Sequence, residues 1–268
     1  MNAPDKVKHS RKIVRYDGNA LLEETDAIAV EYPLTIVVDG EEFATMVCTP
    51  TELQELVIGF LASEGIIRRP GEIQSIRVDE GRGFAYIELL NKKSAGVMNY
   101  SKRFIGSCCG KSRQFYFHND MRTAKTVTSK SVITVEQCFA FMERLMEQSS
   151  DFRMTGGVHN AALCGKEGVV AVRTDIGRHN ALDKLFGHCL LNRIPIHDKV
   201  LTFSGRLSSE VLLKAAKIGV GIVLSKSAPT TLAIDLAHDL GITAVGFIRG
   251  RTLNVYTHPE RISCGAGS

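Results

Sequence analysis

The stretch 200–248 constrains the fold more than any other, because strand-like and helix-like segments alternate there at short and even spacing. Residues 200–203, 221–224 and 243–248 are apolar runs of strand length, while 208–218 and 230–240 carry apolar residues at helical spacing. A strand that re-enters its sheet through a helix runs parallel to its predecessor, so these segments predict βαβ units. The expected fold class is α/β, with a mostly parallel sheet covered by helices on both faces and an edge strand near 254–256.

Upstream the rhythm is less regular. Segments 26–30 and 34–38 read as strands, Asp39-Gly40 as a hairpin turn, and 43–48 as the returning strand. Thr49-Pro50-Thr51-Glu52 opens a helix with Thr or Pro at the capping positions, and Gly65 ends it in the left-handed conformation. Segments 73–78 and 84–90 form a further strand pair. The polar passage 119–131 marks a domain boundary. Beyond it, Thr134 and Gln137 form a capping box for an amphipathic helix, 161–164 and 169–173 read as hairpin strands, and a helix begins near Asn180 with Leu182, Leu185, Phe186, Cys189 and Leu190 inward. The resulting division is a polar leader over 1–25, a smaller N-terminal α+β domain over 26–130 and a C-terminal α/β domain over 131–268. A length of 268 residues suits two domains.

Composition narrows the function classes. A net charge of +4 suits an anionic small molecule or an acidic partner and is too weak, without a clustered stripe, to argue for nucleic acid. No apolar leader or membrane-length apolar run is present, which predicts a cytoplasmic protein. Seven scattered cysteines, an odd number, do not form a secreted disulfide framework and are expected to be reduced.

Two of those cysteines stand apart. Gly106-Ser107-Cys108-Cys109-Gly110-Lys111-Ser112 sets adjacent thiols between glycines, with Lys102, Arg103, Lys111 and Arg113 around them to stabilise a thiolate. Adjacent Cα atoms are only about 3.8 Å apart, so a direct disulfide would be strained. The stretch is read as a loop carrying a nucleophile; small buried hydrophobes in a turn are the alternative.

A second set of candidates follows the strands. Ser204-Gly205-Arg206, Ser225-Lys226-Ser227 and Arg249-Gly250-Arg251-Thr252 each leave a strand, and open α/β sheets bind ligands beyond the carboxyl ends of their strands. Small hydroxyls, glycines and cations before helix N-termini make anion seats, and three in register point to a phosphate- or nucleotide-bearing ligand. His159-Asn160 and Asp175, Arg178, His179, Asn180 form a further polar cluster suited to binding. A P-loop is excluded because three residues, not four, separate Gly106 from Gly110. Zinc deaminase and structural zinc readings fail for want of Cys-x-x-Cys. A papain-like cysteine–histidine pair has no supporting signature.

Ser107-Cys108-Cys109-Gly110-Lys111, Gly157-Val158-His159-Asn160-Ala161, Asp175-Ile176-Gly177-Arg178-His179-Asn180-Ala181, Ser204-Gly205-Arg206 and Ser225-Lys226-Ser227-Ala228-Pro229-Thr230 together resemble the FdhD family of formate dehydrogenase accessory proteins. The resemblance implies a sulfurtransferase. A persulfide received from a cysteine desulfurase would be carried on the motif cysteine, Cys108 with Cys109 as partner or the reverse, and passed to the molybdenum (or tungsten) bis-guanine-dinucleotide cofactor of formate dehydrogenase. That cofactor, molybdenum bis(molybdopterin guanine dinucleotide), would be a bound substrate, with no permanently held metal. The resemblance places cofactor binding at Phe247, Ile248, Arg249, Gly250, Arg251 and Thr252 and implies a homodimer. It also implies a three-layer C-terminal domain resembling the cytidine deaminase fold without its zinc site. Many relatives space the two thiols as Cys-Gly-x-Cys-Gly, whereas here they are adjacent. A non-catalytic chaperone that shelters the cofactor is the alternative.

Overall fold

The computed structural model describes residues 6–91, 103–105, 124, 126–149 and 154–264. The chain opens on an antiparallel ribbon of β1 (Lys8–Tyr16) and β2 (Leu21–Ala29), with Tyr16 opposite Leu21. The segment expected as a polar leader over 1–25 is therefore strand through most of its described length. Charged residues stand on both faces of the ribbon, so its sequence lacks the one apolar face by which a strand is recognised.

A five-stranded sheet follows, in the order β5-β6-β3-β4-β7, from β3 (Tyr32–Val38), β4 (Glu41–Cys48), β5 (Ile73–Asp79), β6 (Phe84–Leu89) and β7 (Arg103–Ile105). Asp39 and Gly40 turn the first hairpin with φ of 50° and 88°, the left-handed pair that a two-residue turn between twisted strands requires. Helix α1 (Leu53–Ser63) buries Leu56, Val57, Phe60 and Leu61 against Leu34, Ile36, Met46 and Ile87 of the sheet. Gly65 closes it at φ 74° as expected. Its start differs from expectation: the cap is Glu52, at φ 46°, and no side chain caps the helix. Thr49 is committed elsewhere, its Oγ1 accepting from Ile176 N at 3.1 Å.

The C-terminal part contains β8 (Ile133–Thr134), α2 (Val135–Glu147), β9 (His159–Gly165), β10 (Gly168–Asp175), α3 (Arg178–Leu191), β11 (Val200–Phe203), α4 (Ser209–Ile218), β12 (Ile222–Ser225), α5 (Thr231–Asp239), β13 (Thr243–Arg249), β14 (Thr252–Val255) and β15 (Ile262–Ser263). The capping box forms: Gln137 N donates to Thr134 Oγ1 at 3.2 Å and Thr134 N to Gln137 Oε1 at 2.9 Å. The sheet order is β10-β9-β11-β12-β13-β14, and only β11, β12 and β13 run parallel. It is thus mixed instead of mostly parallel. The tight β9–β10 hairpin can only be antiparallel, and the short turn from β13 likewise brings β14 back antiparallel. Cys138, Phe141, Met142 and Leu145 of α2 cover one face, while α3, α4 and α5 cover the other. Side chains alternate along β11 accordingly, Val200 toward α2 and Leu201 and Phe203 toward the opposite layer.

The two sheets are joined by helices in backbone contact. A Cβ on Gly59 of α1 would stand 1.8 Å from the Asp183 carbonyl oxygen of α3, and one on Gly187 would stand 1.9 Å from the Glu55 carbonyl oxygen. Only glycine permits this approach. Charged groups are sealed around the crossing. Fully buried Lys184 donates to the Thr49 and Thr174 carbonyls at 2.9 and 3.1 Å and pairs with Asp175 at 2.9 Å. Asp183 accepts from Ser63 Oγ at 2.7 Å and pairs with Lys214. Arg173 and His188 both hold Glu55.

Candidate functional site

The carboxyl ends of β11, β12 and β13 converge on one edge, and the antiparallel β9 contributes its first residues there. Ser204 N donates to the Asn160 carbonyl at 3.0 Å, and Asn160 N donates back to Ser204 Oγ at 2.9 Å. Ser225 Oγ donates to the Gly205 carbonyl at 2.7 Å and accepts from Ser227 N at 2.9 Å. Phe247 N then donates to the Ser227 carbonyl at 3.2 Å, and Arg249 Nε to the Lys226 carbonyl at 3.4 Å. Thr252 Oγ1 closes the last turn on the Arg249 carbonyl at 3.1 Å. The three loops picked out in the sequence are therefore stitched into one rim.

That rim is basic. Arg206, Lys226, Arg249 and Arg251 are exposed along it, with Arg178 half-buried behind. Burial, and then the Arg178 charge, hold His159 below its ordinary pKa, so the imidazole is neutral at pH 7. Its ring lies over Phe203 with centroids 6.5 Å apart. A Cβ on Gly205 would meet that Phe203 ring at 2.9 Å and His159 Nδ1 at 3.3 Å, so a side chain there would displace both rings. Phe247 occupies a left-handed φ of 52°, unusual for a bulky residue, and is 36% exposed, with the Arg249 guanidinium 5.5 Å from its ring centroid. An outward aromatic face among cations suits a ligand with a flat base and phosphates.

The side chains of the other candidates are committed elsewhere or buried. Ile248 is a core residue at 3% exposure, packed on the α2 side of the sheet. Asp175 is fully buried, accepting from Thr49 N at 3.0 Å, Gly177 N at 2.8 Å and Asn180 Nδ2 at 3.0 Å besides its pair with Lys184. Asn180 also donates to the Val47 carbonyl at 2.8 Å. Both residues tie α3 to the N-terminal sheet. His179 turns to Glu210, 2.8 Å from its Nε2. Asn160 is buried; its Oδ1 accepts from Thr174 Oγ1, and its Nδ2 has no partner among the described residues. The buried charges Asp183, Lys184 and Lys214 escaped the sequence reading. Gly187 in mid-helix was their signal, since a glycine there usually marks a close packing contact.

Cys108, Cys109 and Gly110 lie outside the described residues. Five other cysteines are described: Cys48, Cys138, Cys164 and Cys189 are buried and Cys264 is exposed. Burial pushes all four buried thiols up, Cys138 and Cys189 to about 12. Strand β7, which leads toward Gly106, runs parallel to β4 with Ile105 opposite Met46, so it ends on the side where Thr49 meets Asp175. Among the described residues no group of three or more His, Cys, Asp or Glu could hold a metal ion, and no helix is long and apolar enough to cross a membrane.

Comparison with known proteins matches residues 29–263 to the FdhD/NarQ family. The chain belongs to that family. Among its relatives, a sulfur carrier protein FdhD from Geobacillus kaustophilus is 59% identical over 95% of this chain and 97% of its own length. The sulfur carrier protein FdhD of Bacillus subtilis is 56% identical over 96% of this chain and 98% of its own. A crystal structure from Desulfotalea psychrophila, described as a candidate formate dehydrogenase accessory protein, superposes with a TM-score of 0.78 at 26% identity, covering 96% of this chain and all of that one. The FdhD/NarQ match thus spans both sheets and the whole basic rim, and begins at the last residue of β2.

Proposed function

We propose that this chain is a cytoplasmic sulfur carrier that receives persulfide sulfur from a cysteine desulfurase and delivers it to the guanine-dinucleotide form of the molybdenum or tungsten cofactor used by formate dehydrogenase. The names of its relatives support the sulfur, and the Desulfotalea psychrophila structure supports the dehydrogenase. The observation that carries the reading is the state of the thiols. Four of the seven cysteines are buried with raised pKa, which disfavours their thiolates and leaves the exposed Cys264 and the pair Cys108 and Cys109. The pair Cys108 and Cys109 stands instead in a basic sequence context that favours thiolate.

In the loading step the Cys108 thiolate attacks the terminal sulfur of the donor persulfide. A new S–S bond forms on Cys108, the donor S–S bond breaks, and the donor leaves as a thiolate, with no net gain or loss of electrons. Cys109 is the partner thiol for the onward step. The cofactor is the substrate: Arg206, Lys226, Arg249 and Arg251 take its phosphates and Phe247 its flat base, on a C-terminal unit read as a deaminase-like fold that holds a nucleotide in place of zinc.

Intact mass after incubation with a desulfurase and cysteine tests the reading. A gain of about 32 Da, one sulfur atom on a thiolate, is expected in the wild type and lost in Cys108→Ala. No gain in the wild type would sink the covalent step and leave a chaperone that only shelters the cofactor on the basic rim.

A further inference from the structure

His159 opens β9 at the edge where the rim loops meet, and its half-buried ring lies over Phe203, with Nδ1 3.3 Å from a Cβ placed on Gly205. Neither ring nitrogen has a hydrogen-bond partner among the described residues. Arg178, half-buried at the first position of α3 and close enough for its charge to act on that ring, has no carboxylate at ion-pair distance among them either. Helix α3 begins there without a side-chain cap, so its dipole and free amides add to the same positive field.

The carboxylates around this pair are spent within the chain. Asp175 of β10 stands opposite His159 in the ladder, but it accepts from Thr49 N, Gly177 N and Asn180 Nδ2 and pairs with Lys184. Arg173 of the same strand is held by Glu55, and Glu210 at the start of α4 turns to His179. β9 has no other charged side chain, and the loop after β11 brings only a further cation, Arg206. A counter-charge for the pair must therefore come from a ligand. The Arg178 charge that helps to hold the ring neutral is cancelled once an anion lies between the two, and the anion itself favours the imidazolium.

We propose that His159 and Arg178 form a proton-coupled phosphate seat at the inner edge of the rim, in which the imidazole binds a proton from solvent as one phosphate of the ligand arrives. Arg178 supplies the standing charge, and the protonated ring supplies an N–H donor to a phosphate oxygen. No covalent bond changes. The inference rests on the reading of the rim as a phosphate site and adds to it a dependence on pH. Between the pKa of the free ring and that of the occupied one, affinity falls as pH rises, because each binding event then requires a proton.

Isothermal titration calorimetry on the full chain tests it, with diguanosine pyrophosphate, two guanosines joined by a pyrophosphate diester, as the probe. Its phosphates do not titrate near neutral pH, so any proton taken up belongs to the protein. At pH 7, in buffers of different ionisation enthalpy, the wild type is expected to take up about half a proton or more per bound probe, and affinity to fall about tenfold from pH 6 to pH 8. His159→Gln keeps an amide donor and should lose most of that uptake while binding within about threefold of wild type at pH 8. Arg178→Gln should weaken binding about tenfold throughout. NMR of the wild-type ring gives a second reading that needs no variant: its midpoint should move upward when the probe saturates the chain. Binding without proton uptake, uptake that persists in His159→Gln, or a ring midpoint that stays or falls on binding would each overturn the seat and leave the rim reading intact. A probe that does not bind at any pH would overturn the rim reading and the seat with it.

Discussion

The crossing of α1 and α3 sets the most demanding test of the fold. In Gly59→Ala the new Cβ would stand 1.8 Å from the Asp183 carbonyl oxygen and 2.8 Å from Gly187 N, against the 3.4 Å or more of ordinary contact. Both neighbours are helix backbone, which cannot rotate aside as a side chain would. The helices must part by about 1.6 Å, and hydrogen bonds that span the crossing, Ser63 Oγ to Asp183 and His188 Nδ1 with Glu55 Oε1, lengthen with them. Overpacking costs about 1–3 kcal/mol, each strained bond to a charged group about 1.5 more, and alanine returns about 1 through helix propensity. We expect a net loss of about 4 kcal/mol, or a melting temperature lower by about 8–16 °C for a chain of this size. Gly71→Ala is the control, since nothing lies within 4 Å of a Cβ there, and it should stay within about 0.5 kcal/mol of wild type. Calorimetry and urea unfolding read both variants. A Gly59 variant as stable as the Gly71 variant would refute the close crossing.

Two further predictions concern charge. Lys184→Met leaves the Asp175 carboxylate without its cation in a fully buried site and should cost about 3–5 kcal/mol by urea unfolding, with Asp175→Asn in the same chain recovering part of it. Burial already raises the Asp175 carboxyl, so in that variant the stability present at low pH is lost as pH rises through the folded pKa; a deficit that shrinks with rising pH would contradict the assignment. His159 is lowered from 6.5, so it favours folding above that value and the benefit fades as pH falls through its folded pKa. An NMR titration should place its midpoint below 6.5, with Arg178→Gln moving it upward, and a midpoint at or above 6.5 in the wild type would show that the ring is neither buried nor near that charge.

The elements most legible in the sequence were those whose local pattern and final environment agree. The alternation over 200–248 became β11 through β13 because each strand is buried on both faces and each helix has one apolar side. That the three loops share one edge was equally readable, since each follows a strand of the same regular alternation; their hydroxyls hold the loops to one another. Long-range partners were not legible. Thr49 looked like a helix cap because its neighbours are cap-like, yet its amide donates to Asp175 at 3.0 Å, across the sequence. Asp175 and Asn180 looked like ligand groups for the converse reason: a polar residue at a chain reversal gives no local sign of whether it faces water or another domain. Lys184 was hidden because a buried cation and a solvated one look alike until the opposing backbone carbonyls are in place.

The glycine crossing and the buried charges beside it also bear on how this protein could be divided. Residue 130 separates two sheets in the chain, but the faces that meet across it carry Lys184, Asp175 and Asp183, all sealed from water. Cut there, neither half would be a free-standing module: one would present the Lys184 ammonium and Asp183 carboxylate of α3 beside the Asp175 carboxylate at the end of β10, the other a row of unmet carbonyls at Val47, Thr49 and Ser63. Chimeras that swap one half between relatives should accordingly be soluble only when α1 and α3 are inherited together.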